Sequence, residues 1–214
     1  MRTESRKLSS VPGGALRVAR GAALVLLAAA ATSCGDMQHE GTASSFLIVN
    51  SLEAAPGSDP TKFGGSLSSD VITVVNDVPT VFNDVGRVSL TLGMKDPGTA
   101  TSPTAPTSAN FITLTQYHVQ YIRSDGRNTQ GVDVPYAFDG GLSLTIKDGD
   151  IQGSFTLVRN IAKDEAPLRA LAANGLIIST VAKVTFYGHD QTGREVSAEA
   201  NISVDFANFG DKTS

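Results

Sequence analysis

The side chains able to do chemistry are three histidines, one cysteine and several acidic turns. His39, His118 and His189 are far apart in sequence. A zinc centre needs three or four ligands converging at about 2 Å, so this spacing supports solvated or hydrogen-bonded histidines. Neither H-E-x-x-H nor G-x-S-x-G occurs, which leaves no motif for a zinc hydrolase or a serine nucleophile. Asp148-Gly149-Asp150, Asn76-Asp77, Asn83-Asp84 and Asp125-Gly126 could lend oxygens to calcium. None fits the twelve-residue loop with a terminal glutamate, and Asp or Asn beside Gly is what tight turns ask for. No catalytic residue, metal or other cofactor is expected.

Cys34, the only cysteine, ends an apolar run. Before it, Arg2, Arg6, Lys7, Arg17 and Arg20 face a single acid, Glu4, and Gly21 to Ser33 carry no charge. That run is too short for a membrane span, which needs about 20 residues. A basic leader, a short apolar core and small residues are the grammar of a secretory signal peptide, here residues 1–33.

Ala31-Thr32-Ser33-Cys34 resembles the lipobox of bacterial lipoproteins, with Ala31 standing where Leu is usual. The resemblance implies cleavage before Cys34 and acylation of its sulfur, so the chain would contact the membrane through an N-terminal lipid. Gly35 rather than an aspartate follows the cysteine. By the same resemblance this favours the outer membrane, with the domain facing the periplasm or the cell surface. Residues 34–45 would form a polar, flexible tether.

Removing the five cations and one acid of the leader from 17 Lys+Arg and 21 Asp+Glu leaves 12 against 20. Such an acidic domain repels phosphate backbones, so nucleic acid is not an expected partner. Trp is absent and aromatics are 6% of the chain, which argues against a sugar-stacking platform.

The dominant period beyond the tether is two. In "EVSAEANISVDF", Val196, Ala198, Ala200, Ile202, Val204 and Phe206 share one face, and the other face is polar. "VGRVSLTLGMK" alternates likewise. "LIISTVAKVTFY" places Leu176, Ile178, Ala182, Val184 and Phe186 together. "FITLTQYHVQYIR" is apolar on both faces near its ends and belongs inside a sheet. "FLIVNSL" and "DVITVV" add strands, and "LSLTI" with "IQGSFTLVR" reads as a hairpin across Lys147 to Asp150. "KDEAPLRALAANG" is the one helical stretch, with Asp164 as cap, Pro167 in the first turn, Leu168 and Leu171 on one side and Gly175 as terminator.

The last hairpin, "VTFYGHDQTGREVSAEANISV", resembles the final two strands of bacterial immunoglobulin-like and fibronectin-III-like modules, whose turn commonly reads Asp-x-x-Gly, here Asp190 and Gly193. The expected fold is all-β: an antiparallel Ig-like β-sandwich over residues 46–210 with one short crossover helix.

Three loops exceed a simple connection. They are "EAAPGSDPTKFGGSLSS", with Phe63 tucked back, "KDPGTATSPTAPTSAN", and "RSDGRNTQGVDVPYAFDGG". The third gathers Arg123, Arg127, Asp133, Tyr136 and Phe138 as a candidate contact surface, against a structural crossover between sheets. The reading is a lipid-anchored envelope lipoprotein with a non-catalytic binding or structural role and an envelope protein as partner. The alternatives are an envelope hydrolase built around His118 or His189, and an accessory lipoprotein offering an edge strand to a secretion or assembly machine.

Overall fold

The structure, a computed structural model, describes residues 41–209. The leader, Cys34 and His39 lie outside the described residues. Within them the chain is all-β. Its strands are β1 (Ser45–Ala55), β2 (Ser66–Asp70), β3 (Thr73–Val75), β4 (Val78–Thr80), β5 (Asp84–Met94), β6 (Gly98–Thr99), β7 (Ser102–Pro103), β8 (Ile112–Ile122), β9 (Phe138–Ile146), β10 (Asp150–Val158), β11 (Ile178–Asp190) and β12 (Glu195–Ala207). Among the described residues, helical structure is limited to one α-turn, α1 (Asn160–Lys163), and 3-10 turns at Ser108–Asn110 and Leu168–Ala173.

Two sheets carry the fold. One has the order β1-β5-β10, and the other β2-β12-β11-β8-β9. Pairing is antiparallel except between β2 and β12, which run parallel. The alternating residues do what their period asks. Leu47, Val88, Leu90 and Leu157 from the first sheet meet Val119, Val184, Phe186, Ile202, Val204 and Phe206 from the second in one core. Tyr117 packs on Phe155 at 4.9 Å between ring centroids, and Phe155 stands edge-on to Phe186 at 5.4 Å. Gly86 makes room for this stack, because a Cβ there would fall 2.5 Å from the Phe155 ring. Tyr121 is fully buried, and its hydroxyl donates to the Leu157 carbonyl across the sheets at 2.7 Å.

Several expectations are corrected. β9 and β10 do not form a hairpin: β9 pairs with β8, and β10 with β5. A four-residue glycine turn serves a sheet-to-sheet corner as well as a hairpin, and Asp150 ties β10 to the first sheet by accepting from Asn50 and Ser89. "DVITVV" is not one strand. β2 ends at Asp70, and β3 and β4 form a separate ribbon around Asn76 and Asp77, both with φ above 50°, as a type I′ turn requires. Leu176 leaves β11 and is 63% exposed.

The helical stretch does lie between the two sheets, but it is split. Asp164 closes α1 rather than opening a helix, and the 3-10 turn begins after Pro167. Proline offers no N–H and disfavours helical backbone in the residue before it. Leu168 and Leu171 are buried as expected. Ala43 and Ser45 are buried, Ser45 Oγ donates to the Asn110 carbonyl at 2.7 Å, and Lys95 Nζ donates to the Gly41 carbonyl. Phe63 does fold back, with the Arg87 guanidinium 3.9 Å above its ring.

Candidate functional site

The loop between β8 and β9 is the best-defined exposed feature. It joins neighbours in one sheet, so it is not the crossover between sheets that was its structural alternative. Its backbone is held by its own side chains. Asp125 lies between two guanidiniums: Arg123 reaches its Oδ2 at 2.6 Å, and Arg127 Nε reaches the same oxygen at 3.1 Å. The Arg127 N–H donates to Oδ1 at 3.1 Å. Hydrogen bonds from Arg123, and then from the Arg127 backbone, hold the Asp125 carboxyl well below the usual carboxylate range. Asn128 Oδ1 accepts from Arg123 N at 2.7 Å, and Asp133 Oδ2 accepts from Thr129 N at 3.2 Å.

Further along, Gly131 N donates to the Val134 carbonyl at 2.8 Å, and Ala137 N to Gln130 Oε1 at 3.1 Å. Val134 is fully buried and pins the loop to the core. Gly131 has φ +75°, and a Cβ there would collide with the Tyr136 hydroxyl, so Tyr136 lies across this glycine. What remains outward is an apolar and aromatic tip flanked by charge. Val132 is 68% exposed and Tyr136 50%, and in the same loop the exposed Arg127 pairs with Asp125.

Of the five residues singled out in sequence, four stay at this surface or organise it: Arg123, Arg127, Asp133 and Tyr136. Phe138 does not. It is 8% exposed and edge-on to Tyr117 at 6.2 Å, with the Arg159 guanidinium 4.4 Å above its ring. As the first residue of β9 it takes the inward face, and burying an aromatic of this size outweighs leaving it in water. Sequence reasoning missed Gly131 and Val132, and it read Asp125 only as part of an Asp-Gly turn. Gly126 and Gly131, with φ of +80° and +75°, were the visible signals of a backbone in the left-handed region.

Among the described residues, His118 and His189 are not brought together. His118, on the outer face of the second sheet, has Nδ1 2.8 Å from Asp139 Oδ1. Its cross-strand neighbour Thr185 turns its hydroxyl to Glu199 at 3.5 Å instead, while Lys183 pairs with Glu199 at 2.8 Å. His189 sits at the other end of β11, opposite Glu195. Among the described residues no group of three His, Cys, Asp or Glu is placed to hold a metal ion. A shallow cleft of about 500 Å³, lined by Ser108, Phe111, Thr113, Thr145, Lys147 and Gln191, lies away from His118.

Asp84 is also not in a turn. It opens β5, buried, with Lys163 Nζ 3.0 and 2.9 Å from its two oxygens, Ser69 Oγ donating at 2.6 Å and Gly57 N at 2.8 Å. This cluster fastens the loop after β1, β2, β5 and α1 at one point, which is a structural role. At the last hairpin, burial alone would raise the Asp190 pKa. Hydrogen bonds from the Thr192 hydroxyl and from the Arg194 and Thr192 backbones outweigh burial and lower it, so the expected Asp-x-x-Gly turn is built on a carboxylate.

No protein-family model matches this chain, and no curated protein matches it in sequence.

Proposed function

We propose that the chain is a lipid-anchored lipoprotein of the bacterial cell envelope, built as an Ig-like β-sandwich, that binds an envelope protein through the loop between β8 and β9. Strand order supports the Ig-like part. β1-β5-β10 and β8-β11-β12 follow the A-B-E and C-F-G neighbours of immunoglobulin-like sandwiches. The stretch Ala31 to Cys34 supports the anchor. More than one acyl chain on Cys34, each buried CH₂ contributing about 0.8 kcal/mol, would hold the protein stably on a membrane.

The observation that carries the binding role is the loop itself. It is ordered by its own hydrogen bonds yet leaves Val132 and Tyr136 in water. An apolar and aromatic tip on a preorganised loop loses little entropy on association, and tyrosine with arginine is a composition that interface hot spots favour.

The test expresses the full chain in a bacterial host with labelled palmitate, beside Cys34→Ala and beside Val132→Ser/Tyr136→Ser. Label and membrane association should be lost in Cys34→Ala and kept in the loop variant. Crosslinking of the wild type at the envelope should give a discrete adduct that the loop variant loses. A soluble, unlabelled wild type rejects the anchor; an adduct that survives the loop substitutions rejects the binding surface.

A further inference from the structure

We propose that residues 98–108 are a site of O-linked glycosylation, with Ser102 and Thr104 as acceptors. From Pro97 to Asn110 the sequence "PGTATSPTAPTSAN" holds no charge and one of its largest side chains is proline. Every residue from 98 to 108 except Pro106 is exposed, so the segment contributes nothing to the core. Even so it is folded. β6 pairs with β7, the Thr104 N–H donates to the Pro97 carbonyl at 3.0 Å, and Gly98 turns with φ +74° where a Cβ would meet the Ser102 carbonyl.

The six hydroxyls of this ribbon divide into two groups. Thr99 and Thr101 lie 3.4 Å apart, and Thr99 Oγ1 also accepts from the Ser102 N–H at 3.1 Å. Thr107 donates to Asn110 Oδ1 at 2.8 Å as part of a capping box. These three hydroxyls are occupied in making the turn. Those of Ser102, Thr104 and Ser108 make no hydrogen bond to any described residue, and Ser102 and Thr104 flank Pro103. Proline at this position removes an N–H and holds the backbone extended, and the residues on both sides of it are exposed, so a transferase can reach an extended acceptor segment.

Composition alone reads Ser/Thr with Pro as a glycosylated stalk. Here the fold adds exposure, an extended acceptor backbone and two unengaged hydroxyls. The donor is a sugar activated on a phosphate. The acceptor oxygen bonds to the anomeric carbon, the bond from that carbon to the phosphate oxygen breaks, the phosphate carrier leaves with the electron pair, and the hydroxyl proton passes to a base of the transferase. No oxidant or reductant is needed. The inference goes beyond the anchor and the binding loop and depends on neither.

The test purifies the full chain from the cells that make it and cleaves it with trypsin. Cuts after Lys95 and Arg123 release residues 96–123 as one peptide. The wild-type peptide should be heavier than its sequence by whole sugar units, lose that mass on β-elimination, and return to the sequence mass in Ser102→Ala/Thr104→Ala. A wild-type peptide at its sequence mass overturns the proposal. So does sugar that persists in the double variant or maps to Thr113 or Thr115.

Discussion

Lys163 and Asp84 are each only 1% exposed at their side chains and have no water to fall back on. Each charge is tolerated because the other is there, with Ser69 and Gly57 filling the remaining acceptor sites. Removing one partner of a buried pair strands the other, at a cost of about 3–5 kcal/mol. Lys163→Ala should therefore lower stability by that order in urea unfolding, and Asp84→Ala by a similar amount. The double variant should be clearly less damaged than the sum of the two. Additive losses would mean that the pair is not coupled. Their pairing was not legible in the sequence: Asp84 read as part of an Asn-Asp turn and Lys163 as the residue before a helix cap. An ion pair between positions so distant in the chain leaves no local mark, since its partners are set by the meeting of α1 with β5.

The elements themselves were far more legible. Period-two alternation correctly placed β5, β11 and β12, because one buried and one wet face is a local requirement written every second residue. The pairing of β9 and β10 was not legible, because both strands alternate in the same way whichever sheet they join. Nor was the reason for Gly86, which exists to admit a ring from the adjacent strand. Gly86→Ala places a Cβ against Phe155, and overpacking of this kind costs about 1–3 kcal/mol. The loss should appear as a lower urea midpoint, and adding Phe155→Leu should recover part of it. If Gly86→Ala unfolds at the wild-type midpoint, the ring is not where the stack requires it.

At the scale of the whole domain, two sheets share one core, linked by Tyr121 donating from β8 to β10 and by the Tyr117–Phe155–Phe186 stack. Neither sheet has a second face buried enough to stand alone. Near-ultraviolet signals from the buried tyrosines and the far-ultraviolet strand signal should therefore lose structure at one coincident midpoint. Separate transitions would show that the sheets are independent. A single cysteine means that no internal disulfide can supply this cohesion, so packing must.

The sequence by itself determined that the domain is all-β, which faces of its longest strands are buried, where the Asp190 turn falls, and which loop gathers Arg123, Arg127, Asp133 and Tyr136. These depend on neighbours two to a dozen residues apart. Tertiary structure alone decided that Phe138 is core, that β10 joins β5, that Asp84 meets Lys163, and that Ser102 and Thr104 are left unengaged. Each of those depends on which distant surface arrives opposite, and the free energy of that meeting belongs to the contact rather than to either stretch of chain.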